Sequence, residues 1–218
     1  VIFQKSDVEA LGYITGLIDK IVVTDSQYAS YSTKYRQTED QTIKNLYARN
    51  CIYTVVMNDP RMPNGLFLID ADVDIWSIWW RNWNIDSTGK VFRQYTFRLH
   101  VTDTNGNPIQ NANVTIWNAV QGKVGSWLTA PDGSIPEQTL TMGYYQQSTG
   151  DTLNSYNPYK IQIVKDGYQT YTQNFTLNDK IEWTIALALE KKEDTALLYA
   201  AFVMFTLAFV FFVYLVLN

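Results

Sequence analysis

Asp70, Asp72 and Asp74 stand two residues apart in the stretch FLIDADVDIW, and on a strand such carboxylates project from one face about 7 Å apart, where they repel. Water, an arginine such as Arg81 or Arg93, or a hard cation must screen them. Two readings stand: a solvated edge that discourages strand pairing, and a weak Ca²⁺ site. The run lacks the Gly and distal Glu of a helical calcium hand. Next to it, IWSIWWRNW packs Trp76, Trp79, Trp80 and Trp83 together. Exposed indole faces stack on sugars or anchor protein partners, and buried ones pack a domain junction. Cys51 and His100 are each alone in the sequence. No G-x-S-x-G, H-E-x-x-H, phosphate loop or dinucleotide fingerprint occurs, so no nucleophile, base and orienter set can be assembled. The carboxylates project in parallel from one strand, whereas a glycosidase pair faces across a cleft. The expectation is a chain with no catalytic activity and no cofactor. Two acceptor triplets, Asn113-Val114-Thr115 and Asn174-Phe175-Thr176, offer N-glycosylation sites on outward strand positions.

The elements that must position these residues are read from 218 residues with a net charge of −4. Scattered Lys and Arg give no basic footprint, so nucleic acid is not an expected partner. One cysteine excludes an internal disulfide framework and a Cys-based zinc cluster. Aromatics at 15%, many of them Tyr, favour a β-rich chain. The sequence opens on Val1 and not Met, which we read as a removed leader or missing upstream sequence.

Ser6 to Glu9 spells a capping box, and Val8, Leu11, Ile14, Ile18 and Ile21 follow at helical spacing, predicting a helix over 7–22. Between Asp25 and Asn50, Tyr28, Tyr31, Tyr35, Thr42, Leu46 and Arg49 fall on a roughly heptad line, predicting a second helix or loose coiled coil. A rival reading takes Ile21, Ile43, Phe67 and Val91 as rungs of a β-solenoid. From Cys51 the character is β: CIYTVVM, the turn-rich NDPRMPNG, then Phe67, Ile69, Ala71, Val73 and Ile75 alternating with polar residues. Beyond Gln94 the alternation is regular. Tyr95, Phe97, Leu99 and Val101 face inward, so His100 faces outward and is a poor base. The turns DTNGNP, PDG and DG separate further short strands, ending with Ile181, Trp183, Ile185 and Leu187. Such spacing predicts a β-sandwich.

Within that region VTDTNGNPIQNANVTIWN, TAPDGSI and YKIQIVKDGYQTYTQNFTL resemble the carboxypeptidase-regulatory-like family of Ig-like, transthyretin-like sandwiches. Asp103, Gly106, Pro108, Ile109, Ala112, Val114, Thr129, Gly133, Tyr159, Ile161, Ile163, Gly167 and Tyr168 occupy the family's pattern. A polar, Tyr-rich insert from Gly143 to Asn157 departs from it. The resemblance implies a non-catalytic spacer or binding module on a secreted or surface protein.

Ala196 to Leu217 runs without a charge, Gly or Pro and would span about 33 Å as a helix, the thickness of a bilayer core. The expected fold class is therefore mainly β with an N-terminal helical part, an Ig-like β-sandwich and one C-terminal transmembrane helix. The expected parts are a helical or coiled segment (1–50), a β-rich junction (51–93), the sandwich (94–190) and the anchor (196–217). Lys191 and Lys192 before the span favour a cytoplasmic sandwich, whereas the family's character and the two triplets favour the outside or a virion surface, which we prefer. The expected function is a single-pass structural or surface protein with a membrane-proximal stalk or interaction module. Alternatives are a spike or attachment protein of a membrane-containing virus, or an accessory subunit of a membrane complex. Expected partners are the bilayer, other proteins or further copies of the chain, and glycans.

Overall fold

A computed structural model describes residues 2–4, 16–26, 29–33, 36–74, 76–81, 88–149, 152–190 and 203–206. The chain is mainly β. Its first part is a parallel β-solenoid. Strands β1 (Ile2–Gln4), β2 (Gly16–Thr24), β4 (Gln41–Arg49), β6 (Arg61–Ile69) and β9 (Thr88–Asp103) lie side by side in one sheet, with the short β7 (Asp72–Val73) on β4. Strands β3 (Ala29–Ser32), β5 (Tyr53–Asn58) and β8 (Ile78–Arg81) form a second parallel sheet. Positions 18, 43, 68 and 93 stand in one register, a coil of 25 residues per turn whose chain returns to the same sheet once per turn.

The predicted N-terminal helices are corrected by these strands, and the cause is local. Lys20, Asn45 and Asp70, again 25 residues apart, have φ of 61°, 57° and 53°. A left-handed residue inside a strand adds one position and shifts the inward set. Ile18, Ile21 and Val23 are therefore buried together, as are Ile43, Leu46 and Ala48. Their three-then-two spacing imitates a helix over a short window. The same shift inverts the expected face of β6: Leu66 and Leu68 are fully buried, and Phe67 and Ile69 turn outward. Of the predicted helix over 7–22, residues 7–15 lie outside the described residues. The rival solenoid reading found the architecture but not its register, since Phe67 pairs with Thr42 and Ile43 with Leu68.

Polar ladders hold the corners. Asn45 Nδ2 donates to Asp19 Oδ1 at 2.7 Å, Asn50 Nδ2 to Asp25 Oδ1 at 2.9 Å, and the Asn50 N–H to Asp74 Oδ2 at 2.7 Å. Asp40 Oδ1 accepts the N–H groups of Asn64 and Gly65, both at 2.9 Å, and Oδ2 accepts Asn64 Nδ2 at 2.7 Å. Partial burial pulls the Asp40 carboxyl up, but these three donors outweigh it and hold it below the usual range. A depressed folded value means that the contribution is present above the unfolded value and is lost as pH falls through the folded one. Asp40→Ala should therefore cost about 1–3 kcal/mol at neutral pH. The wild-type advantage should shrink as the buffer is taken to about pH 3, read as converging urea midpoints.

The second part is a two-sheet sandwich. One sheet continues the solenoid sheet through β9 into β12 (Gln138–Tyr145) and β13 (Asn154–Ser155), with β16 (Ile181–Leu187) also on β9. The facing sheet runs β11 (Gly122–Leu128), β10 (Asn113–Asn118), β14 (Tyr159–Val164), β15 (Tyr171–Phe175). Tyr95, Phe97, Leu99 and Val101 are buried against Val114, Ile116, Ile161, Ile163 and Phe175, a core separate from the solenoid's.

The expected C-terminal span is corrected as well. Among the described residues no helix is long and apolar enough to cross a membrane. Of 196–217 they include only Val203–Thr206, one exposed helical turn, and the rest lie outside them. The membrane, membrane-proximal and virion placements built on that span are not carried forward.

Candidate functional site

The two parts join through β9, whose sixteen residues extend about 53 Å at the usual rise. Along 91–97 it pairs with β12 on one side. On the other side it pairs in parallel with β6 as far as Gln94 and with β16 from Phe97 onward. Two strands thus meet end to end against β9, and between them Tyr95 and Thr96 have no strand neighbour on that side. Backbone N–H groups left without a partner are costly when buried, and Asp70 meets this need. Its N–H donates to the Gln94 carbonyl at 3.0 Å. Its carboxylate accepts the Thr96 N–H at 2.7 Å and the Thr96 hydroxyl at 2.5 Å. The left-handed turn at Asp70, inherited from the solenoid repeat, aims the side chain back at β9.

This change of neighbours leaves a crevice of about 690 Å³. Its floor is Arg93 to Arg98 on β9. One wall is the solenoid corner with Asp19, Lys44, Asn45, Asp70 and Asp72, and the other is the segment Asn178–Glu182 leading into β16. Charges bridge the walls. Arg98 Nη1 meets Glu182 Oε1 at 2.6 Å and its Nη2 meets Glu137 Oε2 at 2.7 Å, while Lys44 Nζ reaches Glu137 Oε1 at 3.3 Å. Donation by Arg98 first and Lys44 second holds the Glu137 carboxyl below its usual range. Arg93 lies with its guanidinium 4.2 Å from the Trp76 ring centre and donates through Nε to the Tyr95 hydroxyl at 2.7 Å. Trp76 also stacks on Tyr145, 6.0 Å away.

The residues singled out in the sequence are distributed unevenly over this site. Asp70 and Asp72 line the crevice, and each of the three aspartates has its own protein partner. Asp72 pairs with Arg49 at 2.6 Å, an arginine other than the two expected to screen it. Among the described residues no group of three or more His, Cys, Asp or Glu side chains could hold a metal ion. Trp76 closes the junction, Trp80 packs on the solenoid core, and Trp79 is exposed with its ring 5.4 Å from Tyr53. Trp83 lies outside the described residues. His100 is exposed in a bridge with Ser134, and Cys51 is buried, which pushes its thiol up. Asn113 and Asn174 are exposed beside buried Val114 and Phe175, and Asn113 Oδ1 accepts from the Ser126 hydroxyl.

Sequence reading missed Arg98, Glu137 and the 178–182 segment, which converge only through the strand order. It also missed the purpose of the Gly143 to Asn157 insert. Leu153 from that insert and Tyr145 pack against the solenoid core, closing its last turn.

No family model and no curated protein matches the chain. Solved structures that match include catechol 1,2-dioxygenase of Acinetobacter radioresistens, with a TM-score of 0.33 and 16% identity over 45% of this chain and 53% of that one. The 3-chlorocatechol 1,2-dioxygenase from Rhodococcus opacus 1CP has a TM-score of 0.33 and 14% identity over 49% and 63%. The chlorocatechol 1,2-dioxygenase from Pseudomonas putida has a TM-score of 0.31 and 16% identity over 46% and 61%. The chain therefore spans between about half and three fifths of the length of these enzymes. The expectation of a chain without catalytic activity is not carried forward. At such TM-scores the likeness carries no argument about what this chain does.

Proposed function

We propose that the chain is a structural and interaction protein in which an Ig-like sandwich of the carboxypeptidase-regulatory-like, transthyretin-like type is held by a β-solenoid as one rigid spacer. The observation that supports this most is the single strand β9 running through both cores, with β12 contributing Leu140 to one and Tyr145 to the other. A hinge needs a segment with few cross-strand bonds, and the joint has strand neighbours on both sides except at the two residues that Asp70 covers. The residues that carry the family resemblance make local structure that fits it. Asp103 accepts the N–H groups of Asn105 and Asn107. The Thr129 hydroxyl donates to the Ile109 carbonyl and accepts the Ala112 N–H. Gly133, at φ +79°, lies where a Cβ would come 2.4 Å from the Val101 carbonyl oxygen. Other proteins or further copies of the chain are the partners such a spacer would hold apart.

Spin labels at Leu17→Cys on the solenoid and Asn105→Cys on the far turn of the sandwich test the rigidity, since both positions are exposed. One narrow distance distribution is expected. A broad or bimodal distribution would show a hinge at the joint and sink the proposal.

A further inference from the structure

We infer that the crevice at the change of neighbours along β9 binds a neutral, polyhydroxylated ligand, an oligosaccharide segment, gripped through its hydroxyl groups. The volume of about 690 Å³ lies within the range of about 300–1,000 Å³ typical of small-molecule sites. The lining holds five carboxylates and four cations, Asp19, Asp70, Asp72, Asp179 and Glu182 against Lys44, Arg93, Arg98 and Lys180. This near balance gives no electrostatic gain to a phosphate or sulfate ligand, where a basic majority would. An apolar ligand would take these polar groups out of water and return none of the hydrogen bonds they make to it, a loss that excludes it. A sugar hydroxyl both donates and accepts, so it can satisfy a carboxylate and an ammonium or guanidinium side by side. Cross-pairing fixes those groups in advance: Arg98 with Glu182, Asn45 with Asp19, and Asp70 with Thr96. Preorganised donors and acceptors lower the ordering cost of binding. Trp76 already carries Arg93 and Tyr145 against its ring. Recognition is therefore by hydrogen bonds at the crevice floor and rim, with ring stacking secondary. Asn178, Asp179 and Lys180 are exposed at that rim.

This inference deepens the interaction role proposed above, and its test is separate from the distance measurement, which reads rigidity alone. The purified chain would be titrated by NMR and calorimetry with neutral hexasaccharides of glucose, mannose, galactose and N-acetylglucosamine, and with anionic heparin and polygalacturonate fragments. Saturable binding of at least one neutral hexasaccharide is expected, with Kd between about 10 µM and 1 mM. Asp179→Ala and Lys180→Ala should each weaken it about tenfold, the loss of one or two hydrogen bonds, with an unchanged melting temperature. The affinity should change little between low and high salt. Failure of every neutral probe to bind at about ten times the upper Kd would overturn the inference. So would preference for the anionic fragments, or full binding by both rim variants.

Discussion

Gly65→Ala is expected to remove a large share of the stability of the protein, about 4 kcal/mol or more against the 5–15 kcal/mol of an ordinary domain. Gly65 lies at the irregular end of β6, where the ladder to β9 slips between Arg61 and Gly65, and its φ is +145°, a conformation open to glycine. A Cβ there would lie 2.1 Å from the Lys90 carbonyl oxygen and 2.7 Å from the Lys90 nitrogen. Both are backbone atoms, so no side chain can swing away. Nor can Gly65 itself retreat, because Asp40 grips its N–H and that of Asn64. Relief requires β6 to part from β9 within the last turn of the solenoid. Gly106→Ala is the comparison: its φ is +86° and nothing lies within 4 Å of the added Cβ, so only the backbone term of about 1–2 kcal/mol remains. Urea midpoints of the two variants measure the difference, and equal losses would show that the close approach at Gly65 does not exist.

The sandwich was legible because its signals are local and the period of β9 is undisturbed from Phe97 to Val101. Tyr95, Phe97, Leu99 and Val101 are all buried in strict alternation with exposed Arg98 and His100. Asp103 to Pro108 and Pro131 to Gly133 form turns from their own side chains. The solenoid was not legible by the same rules. Its left-handed residues Lys20 and Asn45 insert one position into β2 and β4, and its pairing joins inward residues 25 apart that resemble one another only in being apolar. The recurring Asp25 and Asn50, and the Asp40 with Asn64, were the signal available, since amide and carboxylate ladders form where turns stack. Of the site, Asp70 to Trp76 drew attention by spacing, though the spacing argument gave the wrong reason. These aspartates are bound to separate partners, and the repulsion expected among them is answered one residue at a time by Thr96, Arg49 and Asn50. Arg98, Glu137 and Glu182 could not be grouped from sequence, because only the pairing of β9 with β12 on one side and β16 on the other brings them together.

Phe97→Ala is expected to cost about 3–5 kcal/mol, the loss for truncating a buried aromatic, and to take both halves of the molecule with it. Phe97 is fully buried and is the first residue of β9 to pair with both β12 and β16, through Gln138 and Ile181. Its ring lies 6.1 Å from Phe175 and meets Trp183 edge-on at 5.9 Å, while Phe175 contacts Trp183 at 5.0 Å and Tyr159 at 5.4 Å. Removing the Phe97 ring leaves a cavity that its two large neighbours, Phe175 and Trp183, cannot fill without leaving their own positions. The Tyr159 hydroxyl, whose pKa burial pushes up to about 12, donates to the Thr141 carbonyl of β12 at 2.7 Å, so a shift there reaches the strand that carries Tyr145 into the solenoid core. Asn174→Gln, at an exposed neighbour of Phe175, should stay within about 0.5 kcal/mol of wild type. Native-state hydrogen exchange separates local from global loss. If β9 joins the cores into one cooperative unit, the amides of Ile43 in the solenoid and Ile161 in the sandwich should lose protection by the same free energy in Phe97→Ala. Loss confined to Ile161, with Ile43 protected as in wild type, would mean that the halves unfold separately and that the shared strand is a connection without mechanical consequence.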